Sequence, residues 1–180
     1  MLLLATLFTA QAEVPEGWFL AGSQPANYEA DVVDEAYSGR GSARYASLPE
    51  AEKGFGTMMQ AISAEEFAGK RVRLAAMVKA EDVESWAGLW MRVDGPNGAV
   101  LAFDNMQDRP ITGTSSWNRY EIVLDVGEEA KGIAFGILID RAGTVWLDDM
   151  EMEVVDDRTP LTGLENARAS RPVNPSFERE

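Results

Sequence analysis

One short segment places side chains that can hold a ligand at every second position. It reads Trp86-Ala-Gly-Leu-Trp90-Met-Arg92-Val-Asp94, and this alternation predicts a β-strand with two different faces. The aliphatic residues would face a core, and Trp86, Trp90 and Arg92 would face outward. A tryptophan is costly to leave in water, so an outward one needs a ligand, a partner or a covering loop.

The chemistry of this outward face suits a sugar. An indole stacks on the C–H face of a pyranose, while guanidinium and carboxylate groups bind hydroxyls in pairs. The predicted ligand-binding residues are Arg73, Trp86, Trp90, Arg92, Asp104, Asn105 and Arg109. Because arginines are concentrated in the central strands, the ligand is expected to be a carbohydrate or another polar or anionic small molecule.

A second interpretation makes the same tryptophans structural. The segment 104–117 reads as a long loop, and its Met106 and Ile111 could close over Trp86 or Trp90. The domain would then be a structural or protein-interaction module, and a protein partner stays open on either interpretation.

Composition excludes several kinds of site. The chain has 180 residues with no cysteine and no histidine, so it has no Ser-His-Asp triad, no His- or Cys-ligated zinc and no disulfide. Its 30 acidic and 16 basic residues give a formal charge of -14, which argues against nucleic acid as a partner. A carboxylate-based glycoside hydrolase remains as a weaker alternative, with candidates Asp94, Asp104, Asp108 and Asp140. With 30 acidic residues, pairs of neighbouring carboxylates arise by chance, so such a pair is weak evidence of catalysis. We therefore expect no enzymatic activity.

The elements that would position these residues are short strands separated by turns. Core-facing alternation is clearest at 71–80, 118–126 and 132–140, and further strands are predicted at 17–20, 28–33, 42–47, 55–62, 86–94, 99–104 and 143–155. In the last strand the apolar positions change phase between Leu147 and Met150, which predicts a β-bulge at Asp148-Asp149. The pattern predicts an all-β fold, a two-sheet antiparallel sandwich.

The two ends of the chain differ from the middle. Residues 1–12 carry a short apolar run followed by Ala10-Gln11-Ala12, which is typical of a secretory signal peptide, although no basic residue precedes the run. A hydrophobic first strand is the alternative. We expect a domain over 13–155, a polar tail or linker over 156–180, no membrane span, and a secreted or periplasmic location.

Four segments in order resemble a known family. Tyr37-Ser-Gly-Arg-Gly-Ser-Ala-Arg-Tyr45, Gly69-Lys-Arg-Val-Arg-Leu-Ala-Ala-Met-Val-Lys79, Trp117-Asn-Arg-Tyr120 and Val145-Trp-Leu-Asp-Asp-Met150 resemble strands of galactose-binding-like jelly rolls of the carbohydrate-binding-module type. The chain also resembles uncharacterised bacterial proteins, some of them named transcriptional regulators. The resemblance implies a two-sheet jelly roll that binds carbohydrate without catalysis.

The same resemblance bears on cofactors. Many such modules hold a structural calcium ion near the first and last strands, where Glu29, Asp31 and Asp149 could supply oxygen ligands. The alternative is that Asp148-Asp149 has only a structural role in the bulge and binds no calcium. No cofactor is expected apart from this calcium ion.

Overall fold

The computed structural model describes residues 13–49 and 53–163. This part of the chain contains nine strands, two short 3-10 turns and no α-helix. The strands are β1 Phe19–Gly22, β2 Tyr28–Val33, β3 Ser42–Ser47, β4 Phe55–Ser63, β5 Lys70–Asp94, β6 Val100–Asp104, β7 Ile111–Val126, β8 Gly132–Asp140 and β9 Thr144–Val155. Every pairing between them is antiparallel, so the predicted all-β antiparallel sandwich is confirmed.

Strand β5 takes part in two layers. Its first half, residues 70–81, pairs with β7 and β9, and its second half, residues 86–94, pairs with β8 and β6. Between the halves the register becomes irregular and Asp82 adopts a positive φ of 51°. A strand that bends in this way can pass from one sheet to the other at a corner.

The two layers follow from this crossing. We call the layer β1-β4-β8-β5-β6 the front sheet, where β5 contributes residues 86–94. The layer β2-β3-β9-β5-β7 is the back sheet, where β5 contributes residues 70–81. Their inner faces enclose one apolar core that contains residues from both halves of β5.

Alternation along the strands selects the core. The inward residues of β5 are almost fully buried in both halves: Val72, Leu74, Ala76, Val78, Ala87, Leu89, Met91 and Val93. The inward set predicted for β8 is buried as well. Burying each large aliphatic side chain contributes roughly 1.5–3 kcal/mol, so the period-two pattern decides which face points inward.

The β-bulge predicted in β9 is confirmed. Asp148 lies opposite Met77, whereas Glu151 lies opposite Ala75, so β9 uses one more residue than β5 over the same span. Asp149 adopts a positive φ of 46° at this point. The extra residue returns the apolar positions of β9 to the core side, which explains the change of phase in the sequence.

Two predictions about segments were wrong. The long loop expected at 104–117 is short, because β7 begins at Ile111 and stays paired with β5 through Ala80–Ser115, Val83–Gly113 and Ala87–Ile111. The strands 71–80 and 86–94 are one continuous strand. Backbone pairing to β5, which needs no apolar alternation, gives the polar stretch 111–117 its extended form.

Only part of the predicted ends lies within the described residues. The predicted signal peptide, residues 1–12, falls outside them, and so does the chain after residue 163. Residues 156–163 pack along the edge of β7, where Thr162 hydrogen-bonds to both the N–H and the C=O of Val123. Arg71 also donates to the carbonyls of Asp157 and Thr159. No helix in the described residues is long and apolar enough to cross a bilayer.

Candidate functional site

A groove of about 430 Å³ lies on the outer face of the front sheet. We call it the Trp86 groove. Strands β1, β4, β8, β5 and β6 and the loop after β6 contribute its lining, which includes Phe55, Thr57, Met59, Trp86, Trp90, Arg92, Phe103, Asn105, Leu138 and Asp140. Four of the seven predicted ligand-binding residues therefore lie together: Trp86, Trp90, Arg92 and Asn105.

Strand register brings these side chains to one face. Gly136 of β8 lies between Trp90 of β5 and Met59 of β4, and Phe103 of β6 lies opposite Arg92. Directly opposed residues on antiparallel strands point to the same face of a sheet. Residues far apart in the sequence thus form one surface.

Trp90 forms the floor of the groove. Only 7% of this residue is exposed, and it packs with Ala134 and Leu138 in an apolar cluster separate from the main core. Its Nε1–H donates to Thr57 Oγ1 at 2.7 Å, and that hydroxyl donates to the Ile137 carbonyl at 2.8 Å. Trp90 is thus a buried tryptophan with a satisfied polar atom, and the short loop after β6 is not what buries it.

Trp86 is more available than Trp90. It is half-buried and packs against the edge of the Trp90 cluster. Phe55 and Phe103, which are 40% and 37% exposed, also line the groove. Partly exposed aromatic rings around a shallow apolar floor provide surfaces on which a flat ligand can stack.

The polar groups of the groove are few and already oriented. Arg92 donates to both carboxylate oxygens of its neighbour Asp94, at 2.7 and 3.1 Å. Asp140 accepts a hydrogen bond from Ser85 at 2.6 Å. Together with the Asn105 side chain they supply both donors and acceptors around an apolar floor, a distribution that suits a neutral polar ligand.

Asp104 and Arg109 shape the loop that carries Asn105. Asp104 is 3% exposed, and its carboxylate accepts from the Met106 N–H and from the Arg109 guanidinium. Burial lowers the pKa of the Arg109 guanidinium, but the hydrogen bonds that it donates to Asp104 and Asp108, together with the charges of these two carboxylates, outweigh burial and raise the pKa. These two predicted site residues hold the loop, and neither lines the groove.

The same loop accounts for Gly88. A side chain at Gly88 would lie 2.9 Å from the Asn105 carbonyl oxygen, so the glycine makes room for the loop. At Gly136 a Cβ would come within 2.2 Å of the Met58 carbonyl oxygen. At both glycines the space that a side chain would need is therefore occupied by the protein's own backbone.

Arg73 lies away from the groove. It is on the back sheet, where it pairs with Glu153 and lies 3.8 Å from Glu121. The other central arginines are paired too: Arg71 with Asp125, Arg92 with Asp94, Arg109 with Asp104 and Arg119 with Glu121 and Glu151. Each of these arginines has a carboxylate partner, which weakens its attraction for an anion and favours a neutral polar ligand over an anionic one.

Several lining residues were missed from the sequence. Phe55, Thr57 and Met59 alternate along β4, and Leu138 and Asp140 alternate along β8. Their spacing indicates a shared face, but nothing local to the sequence says which strands are neighbours. Phe103, one residue before the predicted Asp104, was missed for the same reason.

The carboxylates considered for calcium have other partners. Glu29 and Asp31 both bind the guanidinium of Arg44. Asp149 accepts from the Ser38 hydroxyl. Within the described ranges no group of three acidic residues is arranged to hold a metal ion.

Comparison with known proteins gives one close relative. The chain is 44% identical over 169 residues to the "Uncharacterized HTH-type transcriptional regulator YbfP" of Bacillus subtilis. The aligned region covers 92% of this chain and 57% of that protein. The chain therefore spans little more than half of the relative that it matches. No protein-family model matches the chain.

Solved structures share the fold at low identity. The enzymatically active domain of tailspike protein 4 of bacteriophage CBA120 superposes with a TM-score of 0.60 at 13% identity, covering 78% of this chain and 20% of that one. The CBM22-1 xylan-binding domain of Paenibacillus barcinonensis Xyn10C superposes with a TM-score of 0.57 at 15% identity, covering 79% and 88%. The resemblance to carbohydrate-binding-module sandwiches is thus confirmed for the fold, and the relative bears the expected regulator name.

Proposed function

We propose that the chain is a non-catalytic binding module and that the Trp86 groove holds a carbohydrate. The observation that carries this proposal is the convergence of Trp86, Trp90, Arg92 and Asn105 in one groove. The fold it shares with a xylan-binding domain supports the same ligand class, although a fold alone does not assign a function.

The groove offers the two kinds of contact that a sugar needs. The half-buried ring of Trp86 and the exposed rings of Phe55 and Phe103 present apolar faces for the C–H side of a pyranose. Arg92 and Asn105 then supply donors, and Asp140 supplies acceptors, for the ring hydroxyls. Because Asp94 holds Arg92 and Ser85 holds Asp140, these two groups need little reordering on binding.

Titration calorimetry with a panel of neutral oligosaccharides, including xylohexaose and a β-1,4-linked galacto-oligosaccharide, tests this function. We expect the wild type to bind and Trp86→Ala to lose the groove's binding while still unfolding in a cooperative thermal transition. Val154→Ala, which removes an exposed apolar side chain from the back sheet, is the matched control. Equal binding by wild type and Trp86→Ala would contradict the proposal.

A second candidate function is ligand sensing within a transcriptional regulator. The 44% identity to a protein of that name, of which the chain spans 57%, favours it. In such a protein the groove would bind a small diffusible sugar rather than a polysaccharide. Affinity as a function of chain length separates the two: a sensor would bind a monosaccharide as tightly as a hexasaccharide, whereas a polysaccharide module would bind the hexasaccharide far more tightly.

Two other candidates have less support. A glycoside hydrolase needs two carboxyls that can exchange protons with the substrate, but Asp94 and Asp104 are ion-paired and Asp140 is hydrogen-bonded to Ser85. Absence of turnover on pooled glycosides would dismiss that activity. A protein-interaction domain with covered tryptophans predicts shielding from acrylamide, whereas the half-buried Trp86 should be quenched.

The proposed location is secreted or periplasmic. It is supported by the signal-like residues 1–12. Fractionation of cells that express the full chain, with and without residues 2–12, tests it; a cytoplasmic product from the full chain would contradict it.

A further inference from the structure

We infer that the chain has a second carbohydrate site, on the outer face of the back sheet. A hollow of about 470 Å³ lies there, lined by Tyr37, Met77, Arg119, Asp149, Met150 and Glu151. We call it the Tyr37 hollow. It shares no lining residue with the Trp86 groove, which belongs to the front sheet. The identity of its ligand class rests on the function proposed above.

Tyr37 is the recognition element of the hollow. The residue is 52% exposed, although a large aromatic side chain gains by being buried. Its ring is supported on one side by Trp117, with the two ring centroids 6.1 Å apart and the planes tilted by 57°. The remainder of the ring is available to stack on a ligand.

The backbone that carries this exposed ring is firmly held. The N–H groups of Tyr37 and Ser38 both donate to Asp148 Oδ2 at 2.8 Å. The Ser38 hydroxyl donates to Asp149 Oδ1 at 2.6 Å. An ordered backbone under an exposed aromatic ring lowers the entropy lost when a ligand binds, so the arrangement is suited to recognition.

The β-bulge of β9 gives this hollow its acidic side. By inserting one extra residue, the bulge directs the consecutive carboxylates of Asp148 and Asp149 toward the 37–38 turn. Asp149 takes a left-handed backbone conformation, φ 46°, that few non-glycine residues adopt. Bulges commonly re-aim side chains beside functional sites, and here the bulge both fixes the turn and lines the hollow.

The charges of the hollow disfavour an anionic ligand. Arg119 donates to Glu121 and Glu151, so its charge is already offset by carboxylates and offers little attraction to an anion. The carboxylates of Asp149 and Glu151 would repel an anion. Sugar hydroxyls both donate and accept hydrogen bonds, so they can use the guanidinium and the carboxylates together. Met77, on the outer side of β5, adds adaptable apolar surface to the lining.

Two sites on opposite sheets have a functional consequence. Ligands bound to the front and back sheets cannot be the same short oligosaccharide, because the sandwich lies between them. One protein molecule would therefore hold two separate chains and cross-link a soluble polysaccharide. On a solid polysaccharide, the second site would raise the apparent affinity through a high local concentration of chains.

Calorimetric stoichiometry with xylohexaose and with a β-1,4-linked galacto-oligosaccharide tests this inference. We expect two equivalents per wild-type molecule, one for Tyr37→Ala, one for Trp86→Ala and none for the double variant. Tyr37→Phe keeps the ring and should keep both equivalents. Glu151→Gln, which changes another lining residue, should weaken the second equivalent without altering Tyr37, so it serves if Tyr37→Ala fails to fold.

The outcomes distinguish the two sites. One equivalent for the wild type, lost in Trp86→Ala and unchanged in both Tyr37→Ala and Glu151→Gln, would overturn the second site and leave the groove standing. Binding that is lost in Tyr37→Ala but kept in Trp86→Ala would overturn the groove as the site and support the hollow. No binding to either probe by the wild type would overturn both. Light scattering with soluble xylan should rise only with the wild type and Tyr37→Phe.

Discussion

The indole Nε1–H of Trp90 donates to the hydroxyl of Thr57 at 2.7 Å, across strands that are not adjacent in the sheet. The same hydroxyl donates to the Ile137 carbonyl of the strand between them. Thr57 is itself buried. One small side chain therefore fixes the orientation of the ring that forms the floor of the Trp86 groove, and it satisfies the only polar atom of that ring.

Replacing Thr57 with valine should loosen this floor. The change keeps the shape of the side chain but leaves the buried indole N–H without an acceptor, which costs about 1–3 kcal/mol. Thr57→Val should lower the free energy of unfolding by that amount and weaken xylohexaose binding in the groove. Thr57→Ser keeps the hydroxyl and should retain affinity. Equal unfolding midpoints for the valine and serine variants in denaturant would contradict this account.

The two groove tryptophans should respond differently to truncation. Trp90 is 7% exposed, so Trp90→Ala leaves a cavity and should cost about 3–5 kcal/mol. Trp86 is only half-buried, and Trp86→Ala should cost about 1–2 kcal/mol while removing ligand binding in the Trp86 groove. Denaturant unfolding followed by far-UV circular dichroism measures both. A larger loss of stability for Trp86→Ala than for Trp90→Ala would reverse their assigned positions.

The ion pair between the buried Asp104 and the partly buried Arg109 should contribute to stability. The Asp104 side chain is 2% exposed and Arg109 is 32% exposed, so Asp104→Asn leaves the partly buried guanidinium without its buried charged partner and should cost about 2–4 kcal/mol. Asp108→Asn removes the more exposed partner of Arg109 and should cost no more than about 1 kcal/mol. Both values come from thermal and denaturant unfolding; similar losses for the two variants would contradict the prediction.

Two stacked tyrosines predict a response to alkaline pH. Burial raises the pKa of Tyr45, and burial with the charge of Asp140 raises the pKa of Tyr28, so the fold favours their neutral forms. Their contribution to stability is therefore complete below the unfolded value of 10.0 and is lost as the pH rises above it. Unfolding free energies measured between pH 8 and 11.5 should fall only above about pH 10 from this cause.

Tyr45→Phe isolates one of these groups. The Tyr45 hydroxyl is buried and has no hydrogen-bond partner among the described residues, so deleting it should stabilise the protein by about 1 kcal/mol near neutral pH. The variant should also lose less stability above pH 10 than the wild type. A destabilised variant with an unchanged alkaline slope would show that the hydroxyl has a partner.

Much of the fold could be predicted from the sequence, because the alternation of apolar and polar residues along a strand is a local property. The inward residues of β5 and β8 and the outward Trp86, Trp90 and Arg92 follow from period-two spacing alone. The bulge at Asp148-Asp149 follows from a single break in phase. In each case the burial of apolar side chains decides which face of the strand points inward, and the spacing of those residues in the sequence identifies that face.

Only part of the candidate site could be predicted from the sequence. Trp86, Trp90, Arg92 and Asn105 lie together as expected in the groove, but Asp104 and Arg109 hold its loop and Arg73 lies on the other sheet. Arg73 and Arg92 occupy one continuous strand whose halves belong to different layers. That change of layer depends on the bend near Asp82 and on the strands that pair with each half of β5. These pairings join residues far apart in the sequence, so the sequence pattern does not reveal them.

By itself, therefore, the sequence determined the all-β class, the face of each strand and the residue types available for binding. Only the tertiary structure decided which strands are neighbours, and hence that Thr57 supports Trp90, that Arg71 and Arg73 pair with carboxylates from other strands, and that Tyr37 stands exposed beside the bulge. The physical reason is that alternation acts between residues two apart, whereas sheet order and ion pairing join residues separated by tens of positions, and no local pattern encodes those partners.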